Sequence, residues 1–119
     1  VAIRAGMLAP QVNQRVSGVI ENMSAFACPH CGEPIDMFGT GGGKMVAEVL
    51  SENVGQEVPL LGRIPFDPGL REGGDQGMPF VLSNPDAPAA KAIIEMATKL
   101  GTRPRGLTGM NLGITPNRK

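Results

Sequence analysis

The stretch EVPLLGRIPFDP, residues 57–68, decides the fold of this chain. Its apolar residues form a short, nearly continuous run that is bounded by charged residues and prolines. Such a run is typical of a strand that is buried on both faces of a sheet. The stretch therefore predicts a buried β-strand that ends at Pro65.

A second strand is predicted upstream, in RVSGVIENM at residues 15–23. Val16, Val19 and Ile20 form a short β-branched run between polar residues, which favours a strand over a helix. From Lys44 to Glu52 the apolar residues fall at helical spacing, so a helix is predicted between the two strands.

Another helix is predicted after the second strand. Asp86 is the expected N-cap, and Pro88 suits the first turn. The helix is expected to run to Leu100, with Gly101 as its C-cap. Its predicted apolar face consists of Ala90, Ile93, Ile94 and Ala97.

The remaining segments give weaker patterns. Residues 1–12 are predicted to form the end of a helix, with Pro10 near its close. Residues 69–79 predict a turn-rich segment or a short broken helix, because they contain several glycines. Residues 80–82 predict a brief extended piece.

The order strand, helix, strand, helix predicts an α/β fold with a parallel sheet and flanking helices. Two strands do not make a stable open sheet by themselves. We therefore expect the chain to be the C-terminal part of a larger α/β domain, or to complete its sheet by oligomerising. A chain that begins at Val1, without a methionine, fits the first expectation.

Composition argues against several classes of protein. The chain carries 11 acidic and 11 basic side chains, but every charge after Glu95 is basic. It lacks the aromatic-rich basic face of a nucleic-acid-binding domain, since it has no Trp or Tyr and only 4 Phe.

No apolar run reaches the roughly 20 residues of a membrane helix, and no segment resembles a signal peptide. We predict a cytoplasmic protein without nucleic-acid or membrane partners, with one domain at residues 1–100 and an irregular basic tail at 101–119.

Both cysteines lie in the motif CPHC, residues 28–31. In a reducing compartment this spacing favours metal binding or redox chemistry over a structural disulfide. The string matches the active site of DsbA-like oxidoreductases, but Gly32 and Pro34 do not suit the helix that follows the second cysteine there. Zinc or an iron-sulfur cluster needs about four protein ligands, which two chains with two cysteines each would supply. His30 is expected to point away from such a site.

The glycine run GTGGGK, residues 39–44, does not fit a phosphate-binding P-loop. That motif is G-x-x-x-x-G-K-[S/T], and Phe38 stands here at the first glycine while Met45 replaces the hydroxyl. The run therefore predicts a flexible turn that leads into a helix, or an anion site at the helix N-terminus.

Six motifs together carry a family resemblance. E-N-M-S, C-x-x-C, F-G-x-G-G-G, P-L-L-G-x-I-P-x-D-P, G-D-x-G-x-P and L-S-N-P-D occur in this order within residues 21–86. Over about residues 1–100 the sequence resembles the C-terminal half of the Mrp (ApbC) family of iron-sulfur cluster carrier ATPases, relatives of MinD. The tail RPRGLTGMNLGITPNRK is similar to an extension of actinobacterial members.

The resemblance implies a MinD-like P-loop NTPase fold and a homodimer. Between its subunits the dimer would hold a four-iron four-sulfur (4Fe-4S) cluster for transfer to apo iron-sulfur client proteins. Carried onto this sequence, Cys28 and Cys31 would bind the cluster. Asn22 would contact the adenine base of ATP, and the segment Ile64-Pro65-Phe66-Asp67 would line the adenine pocket.

The resemblance also limits what this chain is expected to do. The Walker A loop and the magnesium-binding aspartate of the family lie upstream of every matched motif, so the chain is not expected to hydrolyse ATP alone. Zinc could occupy the four-thiolate site in isolated protein. Two other functions stay open, namely a non-catalytic zinc-binding or dimerisation module and a CPHC thiol oxidoreductase.

Overall fold

A computed structural model describes residues 1–102 of the chain. Nearly all of the predicted basic tail lies outside the described residues. The described part contains a short parallel sheet, a hairpin that carries the cysteines, and flanking helices. None of its helices is both long enough and apolar enough to span a membrane.

Helix α1, Ala2–Leu8, opens the chain and continues as a single 3-10 turn, Ala9–Val12. Pro10 lies in that turn, and Asn13 ends it in the left-handed conformation, with φ at 57°. The predicted helix end at residues 1–12 is therefore confirmed.

A parallel pair of strands forms the sheet. Strand β1, Val19–Glu21, is followed by the antiparallel hairpin of β2, Phe26–Ala27, and β3, Pro34–Ile35. The chain then forms helix α2, Gly42–Val54, and returns as strand β4, Leu60–Arg63, parallel to β1. The predicted parallel sheet is confirmed, although its hydrogen-bonded strands are shorter than the two apolar stretches of the sequence.

Helix α2 packs on the sheet through one face, and of the apolar residues that indicated this helix Leu50 is buried whereas Met45 is exposed. Gly43, Ala47 and Leu50 are buried at positions i, i+4 and i+7, which is the spacing of one helix face. The helix contacts α1, β1 and β4. It extends beyond the predicted ends and stops at Gly55, whose φ of 66° is the left-handed conformation that glycine adopts without strain.

Three further helices follow β4. Helix α3, Pro68–Gln76, is continuous where the sequence predicted turns or a broken helix. Asp67 caps it, because its Oδ1 accepts a hydrogen bond of 2.9 Å from the Gly69 N–H. Helix α4 is Phe80–Ser83, and α5 is Pro88–Gly101.

Two local predictions in this region are wrong. Residues 80–82 are helical instead of extended, because Phe80 is buried against Ala89 and Ala90 and this packing turns the chain. The N-cap of α5 is Ala87 and not Asp86. The residue before a proline prefers extended backbone, and Ala87 has it, with φ −63° and ψ 142°.

The other end of α5 also differs from the prediction. Gly101 is the last residue of the helix, and Thr102 is the C-cap. Inside the helix, Met96 is buried against β4, where a Cβ on Gly62 would lie 2.7 Å from the Met96 side chain. A residue without a side chain at position 62 therefore lets α5 approach the sheet.

Neighbouring glycines in α3 provide a test of this packing. A Cβ on Gly73 would lie 2.6 Å from the backbone oxygen of Met78, whereas a Cβ on Gly74 would meet nothing within 4 Å. We expect Gly73→Ala to lower the free energy of unfolding by about 1–3 kcal/mol through overpacking. Gly74→Ala should raise it by about 0.5–1 kcal/mol, because alanine is the better helix former. Urea unfolding measures both, and equal effects of the two changes would contradict the described contact.

Candidate functional site

The cysteines lie in the turn of the β2–β3 hairpin. Phe26 pairs with Ile35 and Ala27 with Pro34, which brings the two ends of the turn together. Inside the turn, the Cys28 N–H donates to the Glu33 carbonyl and the Gly32 N–H donates to the Cys28 carbonyl, both at 2.9 Å. The CPHC motif is thus held in a compact, hydrogen-bonded loop.

Exposure increases sharply along this hairpin. Phe26 and Cys28 are half-buried, whereas every residue from 29 to 42, including Cys31, is exposed. The loop therefore projects from the body of the protein and presents its thiols to other molecules.

The turn lowers the pKa of the Cys28 thiol below its ordinary value. The backbone N–H of Cys31 is the largest cause, followed by the backbone N–H of His30 and then the side chain of Cys31. These groups stabilise the thiolate, which is the form that binds metals and reacts with electrophiles. Partial burial opposes the shift but does not reverse it.

Few other metal ligands lie near the thiols. Within residues 1–102 no group of three or more His, Cys, Asp or Glu side chains forms a potential metal site. His30 is exposed and acts on Cys28 through its backbone N–H. One chain therefore offers two thiolates, which is half of a tetrahedral set.

The loop differs from the site of a DsbA-like oxidoreductase. There, the second cysteine lies in the first turn of a helix, whose N-terminus stabilises the thiolate. Here, Cys31 lies in a turn that leads to β3, and α2 begins only at Gly42. The same electrostatic effect on Cys28 comes from N–H groups of the turn itself.

A cavity of about 290 Å³ lies where β1 and β4 end. It contains Asn22, Phe66 and Asp67, three of the residues that the sequence suggested for adenine. Ile64 and Pro65, which the sequence also suggested, do not line it. Other surface grooves have similar volumes of about 290 to 400 Å³ but are lined by none of these residues. Volume alone therefore does not distinguish a binding site on this surface.

Two of these side chains already make local hydrogen bonds. The Asn22 Oδ1 accepts the Met23 N–H at 2.9 Å, and Asp67 caps α3. The hydrogen bond from Met23 holds the Met23 backbone at a φ of 53°. This angle lies in the left-handed region, which costs an ordinary residue about 1–2 kcal/mol. Local strain is thus present in the wall of the cavity.

Sequence reasoning missed three residues that line this cavity, Met23, Leu70 and Arg71. Met23 lies in the E-N-M-S motif, so its position was a signal that could have been used. Leu70 and Arg71 are near the start of α3, and they reach the cavity because that helix begins after Asp67, which lines the same cavity.

Within the glycine run, Gly43 in the first turn of α2 serves close packing, whereas Gly39, Gly41 and Gly42 meet nothing within 4 Å. A Cβ on Gly43 would lie 2.8 Å from the Glu21 Cβ and 3.0 Å from its Oε2. The same Oε2 accepts a hydrogen bond of 2.9 Å from the Arg63 Nε. The sequence analysis left two options for this segment, a turn or an anion site at the helix N-terminus. In the structure, the carboxylate of Glu21 lies at the start of α2.

The fold agrees with that of a solved nucleotide-binding protein. The septum site-determining protein MinD of Pyrococcus horikoshii OT3, complexed with Mg-ADP, matches 91% of this chain and 36% of its own, with a TM-score of 0.55 and 26% identity. The parallel strands and flanking helices are thus those of the P-loop NTPase class.

Sequence comparison narrows this class. The iron-sulfur cluster carrier protein of Mycobacterium tuberculosis (strain H37Rv) is 52% identical over 119 residues, which are all of this chain and 31% of that protein. That of Pyrococcus furiosus is 47% identical over 91 residues, which are 76% of this chain and 28% of that protein. The chain therefore spans about a third of the length of the curated relatives it matches.

A family model identifies the chain more closely. The model described as NUBPL iron-transfer P-loop NTPase, in the ParA group, matches residues 1–101. The chain belongs to this family, and the Mrp-type resemblance expected from its motifs is confirmed.

The lowered pKa of Cys28 has a measurable consequence. Its thiolate persists to lower pH than that of an ordinary thiol, so we expect its alkylation by iodoacetamide to have a lower pH midpoint than that of an unperturbed cysteine. Cys31→Ala should raise the midpoint only part of the way, because the side chain of Cys31 is lost but the two backbone N–H groups remain. Mass spectrometry of the Cys28 peptide follows the reaction, and an unchanged midpoint in the variant would contradict a contribution from the Cys31 side chain.

Proposed function

We propose that this chain is the cluster-holding part of an iron-sulfur cluster carrier. The observation that carries the proposal is a pair of thiols on a projecting hairpin, Cys28 half-buried and Cys31 exposed, in a chain that belongs to an iron-transfer NTPase family. The cluster is the cargo of the protein, and the hairpin is its holder. The naming of the mycobacterial and archaeal relatives supports the same function.

The number of ligands favours a homodimer. A four-iron four-sulfur cluster is usually held by four thiolates, and this chain supplies Cys28 and Cys31. A second copy, related by a two-fold axis, would supply the same two residues and complete the set. The exposure of the loop is compatible with this arrangement, since nothing in residues 29–42 is buried in the body of one chain.

The exposure of the hairpin also suits delivery. A client protein has to replace the cysteines one at a time, and it can approach a site that projects into solvent. The reduced thiols that this exchange needs persist in a reducing compartment such as the cytoplasm, which we propose as the location.

The cavity at the ends of β1 and β4 is proposed to take the adenine of ATP. Ligands of open α/β sheets bind at the carboxyl ends of the strands, and Asn22 and Phe66 lie there. Phe66 offers a ring on which a base can stack, and Asn22 an amide for the edge of the base. The phosphates would be bound by a Walker A loop outside this chain, so ATP hydrolysis is proposed for the full-length protein alone.

A second candidate uses the same four thiolates. Zinc accepts a tetrahedral set of cysteines, and a zinc-bound dimer would then be a structural or dimerisation module. The two functions differ in what metal removal does. Chelation should unfold or split a structural zinc module, whereas a carrier should lose its metal and stay folded.

Reconstitution of the cluster tests the leading proposal. Anaerobic incubation with a mixture of ferrous and ferric iron and sulfide should give a dimer with about four irons. Cys28→Ala and Cys31→Ala should each abolish iron uptake because the thiolate set becomes incomplete, while His30→Ala, as the control, should retain it. Iron analysis and size-exclusion chromatography measure the outcome. A protein that stays monomeric and takes up no iron would refute the proposal.

The adenine assignment has its own test in the full-length protein. Asn22→Ala should weaken binding of Mg-ADP by about 2- to 12-fold, which corresponds to the loss of one hydrogen bond. Asn53→Ala is the control, because the Asn53 side chain donates to the Val49 carbonyl of its own helix. Calorimetry measures both affinities. Equal affinity of the Asn22 variant and the unchanged protein would contradict the assignment.

A further inference from the structure

The wall of the adenine cavity touches the base of the cysteine hairpin. The rings of Phe26 and Phe66 form an edge-to-face pair with centroids 5.6 Å apart and an interplanar angle of 73°. Phe66 lines the cavity, whereas Phe26 lies in β2 and does not. This ring contact therefore joins two sites that the proposed function treats separately.

Backbone hydrogen bonds support the same junction. Beyond the last residues of β1 and β4, the chain segments continue side by side. The Ser24 N–H donates to the Ile64 carbonyl at 3.0 Å, and the Phe66 N–H donates to the Ala25 carbonyl at 2.7 Å. Ser24 is buried, and its hydroxyl donates a second bond to Ile64 at 3.1 Å. The cavity wall and the hairpin base are thus one hydrogen-bonded unit.

The path from Phe26 to the thiols is short. Cys28 is only two residues beyond Phe26, and its N–H is bonded across the turn to Glu33. Beyond Cys28 the loop is exposed as far as residue 42, so the base of the hairpin is where the body of the protein can act on it. A small movement of Phe26 would be transmitted directly to Cys28.

We propose that Phe26 and Phe66 are positioning residues that couple occupancy of the adenine cavity to the orientation of the cysteine hairpin. This inference rests on the proposed function and adds its regulation. A base stacked on Phe66 restricts a ring that is 36% exposed without ligand, and the edge-to-face contact passes that restriction to Phe26. By linkage, a cluster on the cysteines changes the affinity for nucleotide by the same factor as nucleotide changes the affinity for the cluster.

The first arm of the test measures that factor in the full-length protein. The affinity for Mg-ADP is determined with and without a reconstituted cluster, and the two should differ by about fivefold or more in the unchanged protein. Phe26→Ala should bring the ratio close to one while the variant still binds Mg-ADP, because Phe26 contacts Phe66 but does not itself line the cavity. Phe26→Tyr, which keeps the ring, should restore the ratio.

Phe38→Ala is the matched control. Phe38 is an exposed phenylalanine on the same projecting loop, and it lies outside the cavity. The variant should keep the ratio of the unchanged protein. A Phe26→Ala variant with an undiminished ratio would overturn the inference, and so would an equal loss in Phe38→Ala.

The second arm needs neither nucleotide nor iron. Hydrogen exchange at the amides of Cys28 and Gly32 should be about 2- to 10-fold faster in Phe66→Ala than in the unchanged protein, because the ring contact no longer restrains the hairpin. The Phe38 variant should exchange at the normal rate. Unchanged exchange in Phe66→Ala would overturn the inference and leave the proposed function standing. Faster exchange in a protein that binds no iron or no ADP would support the mechanical link and refute the proposed function.

Discussion

The parallel pairing of β1 with β4 is the constraint on which the rest of the structure depends. Parallel strands release the chain at the same edge of a sheet, which is where α/β proteins place their ligands. The last pair in this sheet is Glu21 with Arg63, and their side chains also form an ion pair of 2.9 Å. Glu21 is only 14% exposed in that pair, so the charge is partly shielded from solvent. The segments that start at Asn22 and Ile64 therefore begin side by side.

Both candidate sites originate at this edge. The segment after β4 passes the cavity and then turns into α3 at Asp67, while the segment after β1 passes the same cavity and then forms the hairpin. The hairpin loop returns to the body at Gly43, where α2 rests on Glu21. The loop is thus fixed at its two ends and exposed between them, which explains why glycines and cysteines are crowded into one short stretch of sequence.

Much of this arrangement could be predicted, because it depends on local pattern. The two strands, the helix between them and the helix from Pro88 follow from apolar spacing, and the paired thiols follow from the CPHC motif. Asp67 was a missed signal, since an aspartate followed by proline and glycine is a good N-cap for a helix.

The errors have another cause. Residues 80–82 carry no helical pattern of their own, and they are helical because Phe80 is buried against α5. Similarly, Leu70 and Arg71 reach the cavity only through the direction of α3, which no spacing in the sequence encodes. Tertiary contacts decide such features, so the wall of the cavity was less predictable than the thiols.

The positions of the buried residues indicate which role a metal bound to the cysteine loop would have. The buried apolar residues of the described chain belong to α2, α4, α5, β4 and the segment before β4, and none of them lies in the cysteine loop. A structural zinc site usually supplies the stability that a small hydrophobic core does not, so that loss of the metal unfolds the segments bound to it. Here every residue from 29 to 42 is exposed, so the loop itself contributes nothing to the core of its own chain. The position of the core therefore argues against a metal that maintains the fold of a single chain, and it leaves a metal that is carried or one that joins two chains.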